Sequence, residues 1–192
     1  VPGSSLGSGS YGAVYTVRDD PTAVIKIPKN PSRRETLDMA NFGDVSYAEI
    51  DVLCRLRSKY LVRCFNIYKR RDCGAESEIA LRMERCEGMI GDLFTSRSTT
   101  SQRQFKTLFL TACLGIRHLH RNGILHLDLS AANMMYVTES SDREPAMITK
   151  IIDFGLSNRV DRDHGRLMPL KTQQLRVTSY VRPPECFVDD TI

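Results

Sequence analysis

Two short apolar runs near the start of the chain, Ala13-Val14-Tyr15-Thr16-Val17 and Ala23-Val24-Ile25-Lys26-Ile27, are separated by five residues that include Asp19-Asp20-Pro21. Five residues can reverse a chain but cannot hold a crossover helix, so the two runs must pair antiparallel. An N-terminal strand-helix-strand unit with parallel strands is thereby excluded.

The pattern turns helical from Asp44, where Val45, Glu49, Val52, Leu53 and Leu56 fall on one face. Glu49 puts a carboxylate inside that apolar stripe, and a buried charge requires a cationic partner. Lys26, flanked by Ile25 and Ile27, is equally out of place. A lone strand lysine can snorkel from a sheet edge, but two misplaced opposite charges explain one another.

Leu61 to Lys69 and Glu78 to Arg85 read as two further strands. Ser101 to Asn122 reads as a long helix with Phe105, Leu108, Phe109, Ala112, Ile116 and Leu119 as its buried stripe and Asn122-Gly123 as its stop. Met134 to Val137 and Ile148 to Ile152 form a second, smaller hairpin. A strand-rich part, residues 1–87, therefore gives way near Gly88 to a helix-led part, residues 88–192.

The 192 residues, 41% of them hydrophobic, can bury a core without disulfides. The net charge of +4 is scattered, with Arg33-Arg34 and Lys69-Arg70-Arg71 the only tight basic runs, which is too mild for a nucleic-acid partner. The six cysteines form no C-x-x-C pair, so neither a zinc site nor a disulfide framework is expected. No leader pattern or membrane-length apolar run is present, and a reducing intracellular location without a membrane partner is expected.

Leu6-Gly7-Ser8-Gly9-Ser10-Tyr11-Gly12-Ala13-Val14 matches G-x-G-x-x-G-x-V. A strand follows Gly12, where a dinucleotide fingerprint would open a helix. Such a glycine hairpin lets backbone amides approach phosphate oxygens with no Cβ in the way. Farther on, His126-Leu127-Asp128-Leu129-Ser130-Ala131-Ala132-Asn133 fits H-x-D-L-x-x-x-N, and Asp153-Phe154-Gly155 begins 25 residues after Asp128. Each string alone is common in loops. Together, behind a glycine turn and a strand lysine, they carry the groups phosphoryl transfer needs: one carboxylate to orient a hydroxyl, and an Asn and an Asp to hold Mg²⁺.

At these residues the chain resembles the eukaryotic protein-kinase family, from Leu6 to Glu185. The resemblance implies a bilobal α+β fold, with an antiparallel sheet and one helix in a small N-lobe over a mainly helical C-lobe, and ATP with Mg²⁺ in the cleft between them. It implies that Gly7, Gly9 and Gly12, with Leu6, Ser8, Ser10 and Tyr11, cover the phosphates, and that Lys26 reaches them while held by Glu49. Asp128 would be the catalytic base, and Asn133 and Asp153 the metal ligands. Met83 would be the gatekeeper beside the adenine, whose edge would meet backbone groups of Glu84 and Cys86, between Val14 and Val24 above and Met135 below.

Val177 to Glu185 resembles the end of an activation segment, and its Arg182-Pro183-Pro184-Glu185 form is similar to that of the group containing cyclin-dependent and MAP kinases. With Thr178 it implies Ser/Thr hydroxyls of protein substrates as acceptors. Thr172, Thr178, Ser179 and Tyr180 are candidate modification sites in a hydroxyl-rich stretch. The chain also departs from the family. Leu127 replaces the arginine of His-Arg-Asp, a substitution that herpesvirus-type kinases also tolerate, and Ser130 stands where Ser/Thr kinases carry a lysine. Ser130→Lys is therefore expected to raise or preserve turnover. The chain stops seven residues after Glu185, so the C-lobe is expected to be incomplete, either in a fragment or in a truncated protein covered by a partner chain. A nucleotide- or partner-binding module of pseudokinase type is the alternative to an enzyme.

Overall fold

The computed structural model describes residues 2–9, 12–28, 45–71, 77–94, 100–140, 145–159, 162–163 and 166–167. Three strands open the chain, β1 (Pro2–Gly9), β2 (Gly12–Val17) and β3 (Asp20–Pro28). β2 and β3 pair antiparallel, with Val14 opposite Lys26, as their short connection requires. The turn is tighter than the sequence implies. Asp20 already belongs to β3, where its carboxylate accepts from the Thr22 amide at 2.9 Å and hydroxyl at 2.6 Å.

After α1 (Val45–Arg55) come β4 (Cys64–Arg71) and β5 (Ser77–Glu84), completing an antiparallel sheet in the order β1-β2-β3-β5-β4. Glu49, Val52 and Leu53 of α1 are buried, and Leu56, just past its last turn, packs against the core. The expected strand start at Leu61 is corrected to Cys64. Leu61 bridges to Ile151 instead, and the segment is tied there by Val62 N–H to Ile151 O and Ile151 N–H to Tyr60 O, both 2.9 Å.

The second part holds β6 (Gly88–Met89), a 3-10 turn (Ile90–Phe94), α2 (Gln102–Arg121), β7 (Ile124–Leu125), a 3-10 turn (Ala131–Asn133), β8 (Met134–Glu139) and β9 (Ala146–Ile151). β8 and β9 form the expected hairpin, and β6 pairs with the other edge of β8. β10 (Asn158–Arg159) pairs with β7, and β11 (Arg162–Asp163) with β12 (Arg166–Leu167). A five-stranded antiparallel sheet with one helix, followed by a helix-led part, is the α+β architecture the sequence implies.

Ser101 caps α2 by accepting from Gln104 N–H, while Gln104 Oε1 accepts from Ser101 N–H at 2.7 Å. The stripe read for this helix needs one correction: Phe109 is 74% exposed. The buried face is Leu108, Thr111, Ala112, Gly115 and Leu119. Polar and small residues serve there because β9 lies close. Thr149 donates its amide to Thr111 Oγ1 at 3.0 Å and its hydroxyl to Leu108 O at 2.7 Å. A Cβ on Gly115 would stand 2.8 Å from Ile151 Cδ1. Leu81 and Met83 of β5, Leu119 of α2, Ile151 and Phe154 meet in one core that joins the two parts. Among the described residues no helix is long and apolar enough to cross a membrane.

Candidate active site

β3 alternates so that Lys26 leaves the sheet on the side covered by α1, where its ammonium meets Glu49 Oε1 at 2.6 Å and Asp153 Oδ1 at 2.9 Å. The Lys26 and Glu49 side chains are 11% and 3% exposed, so neither charge could stand there alone. Burial by itself would depress the Lys26 ammonium, but Glu49 and Asp153 outweigh it and hold the group above its ordinary value. Burial lifts the Glu49 carboxyl, and Lys26 draws it partly back. Asp153 adopts φ 60, a left-handed conformation that costs a non-glycine residue about 1–3 kcal/mol, and its carboxylate faces Lys26.

The loop between β7 and β8 is organised by His126, which is 2% exposed. His126 Nε2 lies 2.9 Å from Ile152 O. A carbonyl only accepts, so Nε2 carries the proton, and Nδ1 accepts the Asp128 amide at 3.3 Å. Burial lowers the His126 pKa and keeps the ring neutral, as this pattern requires. Between them Leu127 stands at φ 63, the second non-glycine left-handed residue among those described. Asn133 Nδ2 donates to Asp128 Oδ2 at 2.7 Å and to Asp128 O at 2.9 Å. The Asp128 carboxylate is thus oriented, and the Asn133 amide oxygen is turned away from it.

A cavity of about 590 Å³ lies between the sheet and this loop. Leu6, Gly7, Ser8, Gly12, Val14 and Val24 line it from the sheet, Lys26 and Glu49 from behind, Met83, Glu84 and Cys86 along one edge, and Asn133, Met135 and Asp153 from below. Gly12 is required by the fold: its φ is 153, and a Cβ there would stand 2.6 Å from Ile27 O. At Gly7 a Cβ would meet nothing within 4 Å, so the space beside it is open. Along the edge, Glu84 N–H donates to Arg63 O at 2.9 Å and Arg85 N–H to Thr22 O at 2.8 Å, while the Cys86 amide makes no hydrogen bond among the described residues. The Glu84 amide is thus already bonded within the protein. Burial pushes the Cys86 thiol up to about 12, so it stays protonated at neutral pH.

Lys26, Glu49, Asn133 and Asp153, far apart in sequence, are therefore brought to one cavity. Asp128, 6% exposed, stands behind Asn133 and is not among the lining residues. Gly9 ends β1 opposite Gly12. Ser10, Tyr11, Thr172 and the stretch Val177 to Glu185 lie outside the described residues. The sequence reading gave no site role to Val62, Arg85, Glu87, Met89, Ala132 and Ile152, which also line the cavity. Ile152 was findable as the residue before Asp153; Val62 was hidden by its assignment to a strand.

The donor set suits a magnesium nucleotide. Asp153 and Asn133 could offer hard oxygen atoms, too few to hold Mg²⁺ without phosphate oxygens and water to complete the shell. Val14, Val24, Met135 and Ile152 supply apolar surfaces for a flat base.

Comparison with known proteins gives the following. A sequence profile described as "Protein kinase domain" matches residues 1–191. The chain is 30% identical over 188 residues to cyclin-dependent kinase 10 of Mus musculus, covering 97% of the chain and 47% of that protein. It is 28% identical over 163 residues to calcium-dependent protein kinase 6 of Plasmodium berghei (83% and 10%). It is 30% identical over 159 residues to mitogen-activated protein kinase kinase 8 of Arabidopsis thaliana (83% and 45%). The chain spans less than half the length of each of these curated relatives.

Proposed function

We propose, for a chain that belongs to the protein kinase family, that it transfers the γ-phosphate of Mg²⁺-bound ATP to Ser/Thr hydroxyls of protein substrates. The observation that carries this reading is the Lys26 ammonium, shared between Glu49 and Asp153 at 2.6 and 2.9 Å on the wall of the cavity. Transfer of this kind asks a protein for positioning and charge stabilisation more than for covalent chemistry.

Lys26, fixed by Glu49, reaches phosphate oxygens that enter under β1 and β2. Asp153 and Asn133 would hold Mg²⁺, which would supply neutralising charge to the phosphates. Asp128, oriented through Asn133 and through the His126 contact to its amide, accepts the proton of the attacking hydroxyl. Cys86 N–H and the Glu84 carbonyl meet the edge of the base, with Met83 behind it. Residues 1–87 form the N-lobe and hinge and residues 88–192 a partial C-lobe in this reading. The described cysteines, Cys54, Cys64, Cys86 and Cys113, are free thiols.

The test is transfer of labelled γ-phosphate from ATP-Mg²⁺ to a basic acceptor protein by the purified chain, with Asp153→Ala beside it and phosphoamino-acid analysis of the product. Signal on Ser and Thr that disappears with Asp153→Ala supports the reading; equal signal from both samples ends it. Leu127 and Ser130, both departures from the family pattern, favour a second reading, a module that binds nucleotide without transfer. ATP binding with no transfer from the wild-type chain would select that one.

A further inference from the structure

A second buried lysine takes no part in the chemistry above. Lys150 of β9 is 7% exposed. Its Nζ lies 2.8 Å from Glu84 Oε1, the carboxylate at the end of β5. The same oxygen accepts from Arg63 N–H at 2.8 Å, while Glu84 N–H returns a bond to Arg63 O. Lys150 stands opposite Met135 in the β8–β9 ladder and two residues before Ile152, and both of these line the cavity.

The backbone around Glu84 is held on two sides. Arg85 N–H bonds to Thr22 O in β3, and Glu87 N–H to Tyr136 O in β8 at 2.9 Å. The Glu87 carboxylate accepts from the Thr138 amide at 2.6 Å and hydroxyl at 2.8 Å. Only Cys86 between them lacks such a bond among the described residues, and the Glu84–Lys150 pair spans that junction. A methionine of similar volume would fill the site of Lys150 at little or no cost in stability if Glu84 were also neutral. A charged pair adds what packing does not, a directional contact that fixes the orientation of residue 84.

We propose that Lys150 is a positioning residue for the purine base: through the Glu84 carboxylate it sets the backbone whose Glu84 carbonyl and Cys86 amide meet the edge of adenine. This rests on the nucleotide reading of the cavity, and the test separates the two. The dissociation constants of ATP and GTP, each with Mg²⁺, are measured on the purified wild-type chain, Lys150→Met, Lys150→Arg and the double variant Glu84→Gln/Lys150→Met, with the melting temperature of each.

Lys150→Met is expected to weaken ATP by about tenfold and GTP by much less, narrowing the preference for adenine. Lys150→Arg, which can still donate to Glu84, is expected to restore most of the preference. The double variant is expected to melt near the wild type and still discriminate poorly. A folded Lys150→Met whose ATP affinity stays within about twofold of wild type, or which loses ATP and GTP equally, overturns the proposal. If Lys150→Met does not fold, the double variant decides in the same terms, because no unpaired charge remains in it. Failure of the wild-type chain to bind either nucleotide removes the nucleotide reading itself, and the proposal with it, before any variant is compared.

Discussion

Lys26 and Lys150 are both buried strand lysines with a carboxylate within 3 Å, yet they differ in what their partners are free to do. Glu49 is 3% exposed and locked, but Asp153, the second partner of Lys26, is 20% exposed and faces the cavity. That half of the arrangement can reorganise around an incoming anion. Glu84 is 18% exposed and also lies on the cavity wall, so what differs is its bonding: a single oxygen is gripped by both Lys150 and the Arg63 amide. One lysine waits for a ligand and the other holds a wall still. A buried ion pair alone is therefore a poor guide to chemistry; what tells is whether the partner that faces the cavity is held by a further bond.

The largest effect expected from this contrast is on turnover. Lys26→Met should lower kcat by about 10²–10³-fold, as loss of one aimed charge in a preorganised site does. Lys150→Met should act mainly on the KM for ATP. Steady-state kinetics of both variants on the purified chain would measure the split, and a Lys26→Met enzyme retaining more than about a tenth of its kcat would erase the distinction.

Stability should sharpen it next. Lys26→Met alone leaves Glu49 charged and buried, which is expected to cost about 3–5 kcal/mol in a denaturant titration. Adding Glu49→Gln should recover most of that loss while turnover remains absent. Recovery of activity together with stability would mean that Lys26 is a structural residue like any other.

The two lysines were not equally legible. Lys26 could be read because its misplaced charge had a misplaced partner, Glu49, inside a helical stripe, and because a glycine turn precedes it by a fixed distance. Lys150 sits in an equally apolar run, Ile148-Thr149-Lys150-Ile151-Ile152. Its partner, however, lies among Arg82, Arg85 and Glu87, where a carboxylate reads as solvated surface. Glu84 and Lys150 lie in different sheets, and only the packing of one against the other brings them together. The same limit explains α2: Thr111 and Gly115 are buried by the approach of β9, and no hydrophobic periodicity can announce a buried threonine or glycine. The antiparallel start and the family motifs were readable because they are local, and the errors fall where a distant strand decides.

A titration can probe the two lysine sites unequally. His126 donates to Ile152 O, beside Asp153 and two residues from Lys150, and its pKa is lowered by burial. Below the unfolded value of about 6.5 the unfolded chain takes up a proton that the native ring refuses. Stability is therefore full above that value, falls as the pH drops below it, and the loss is complete once the pH passes the lower native value. The slope should not exceed about 1.4 kcal/mol per pH unit. Glu49, raised by burial, pulls the opposite way, but from the carboxylate range upward. Urea unfolding from neutrality down to about pH 5 should show the fall, and His126→Gln should flatten it. A wild-type chain with no slope in that window would mean that the ring is not held neutral.

The smallest expected effect is also the most selective. Gly12 keeps β2 in register with β3, placing Val14 opposite Lys26, and its φ of 153 leaves no room for a Cβ. Gly12→Ala should cost about 1–2 kcal/mol and shift the strand that carries Lys26. Nothing in that strain reaches β9, so the Glu84–Lys150 end should keep its geometry. ATP, which needs both ends, should then bind more weakly, whereas adenosine, which has no phosphates to offer Lys26 but still meets Val14 and Val24 of the shifted strands, should weaken less. Calorimetric titration with the two ligands measures the difference directly. Equal weakening of adenosine and ATP would show that the two ends of the cavity move as one, and the division of labour between the lysines would have to be abandoned.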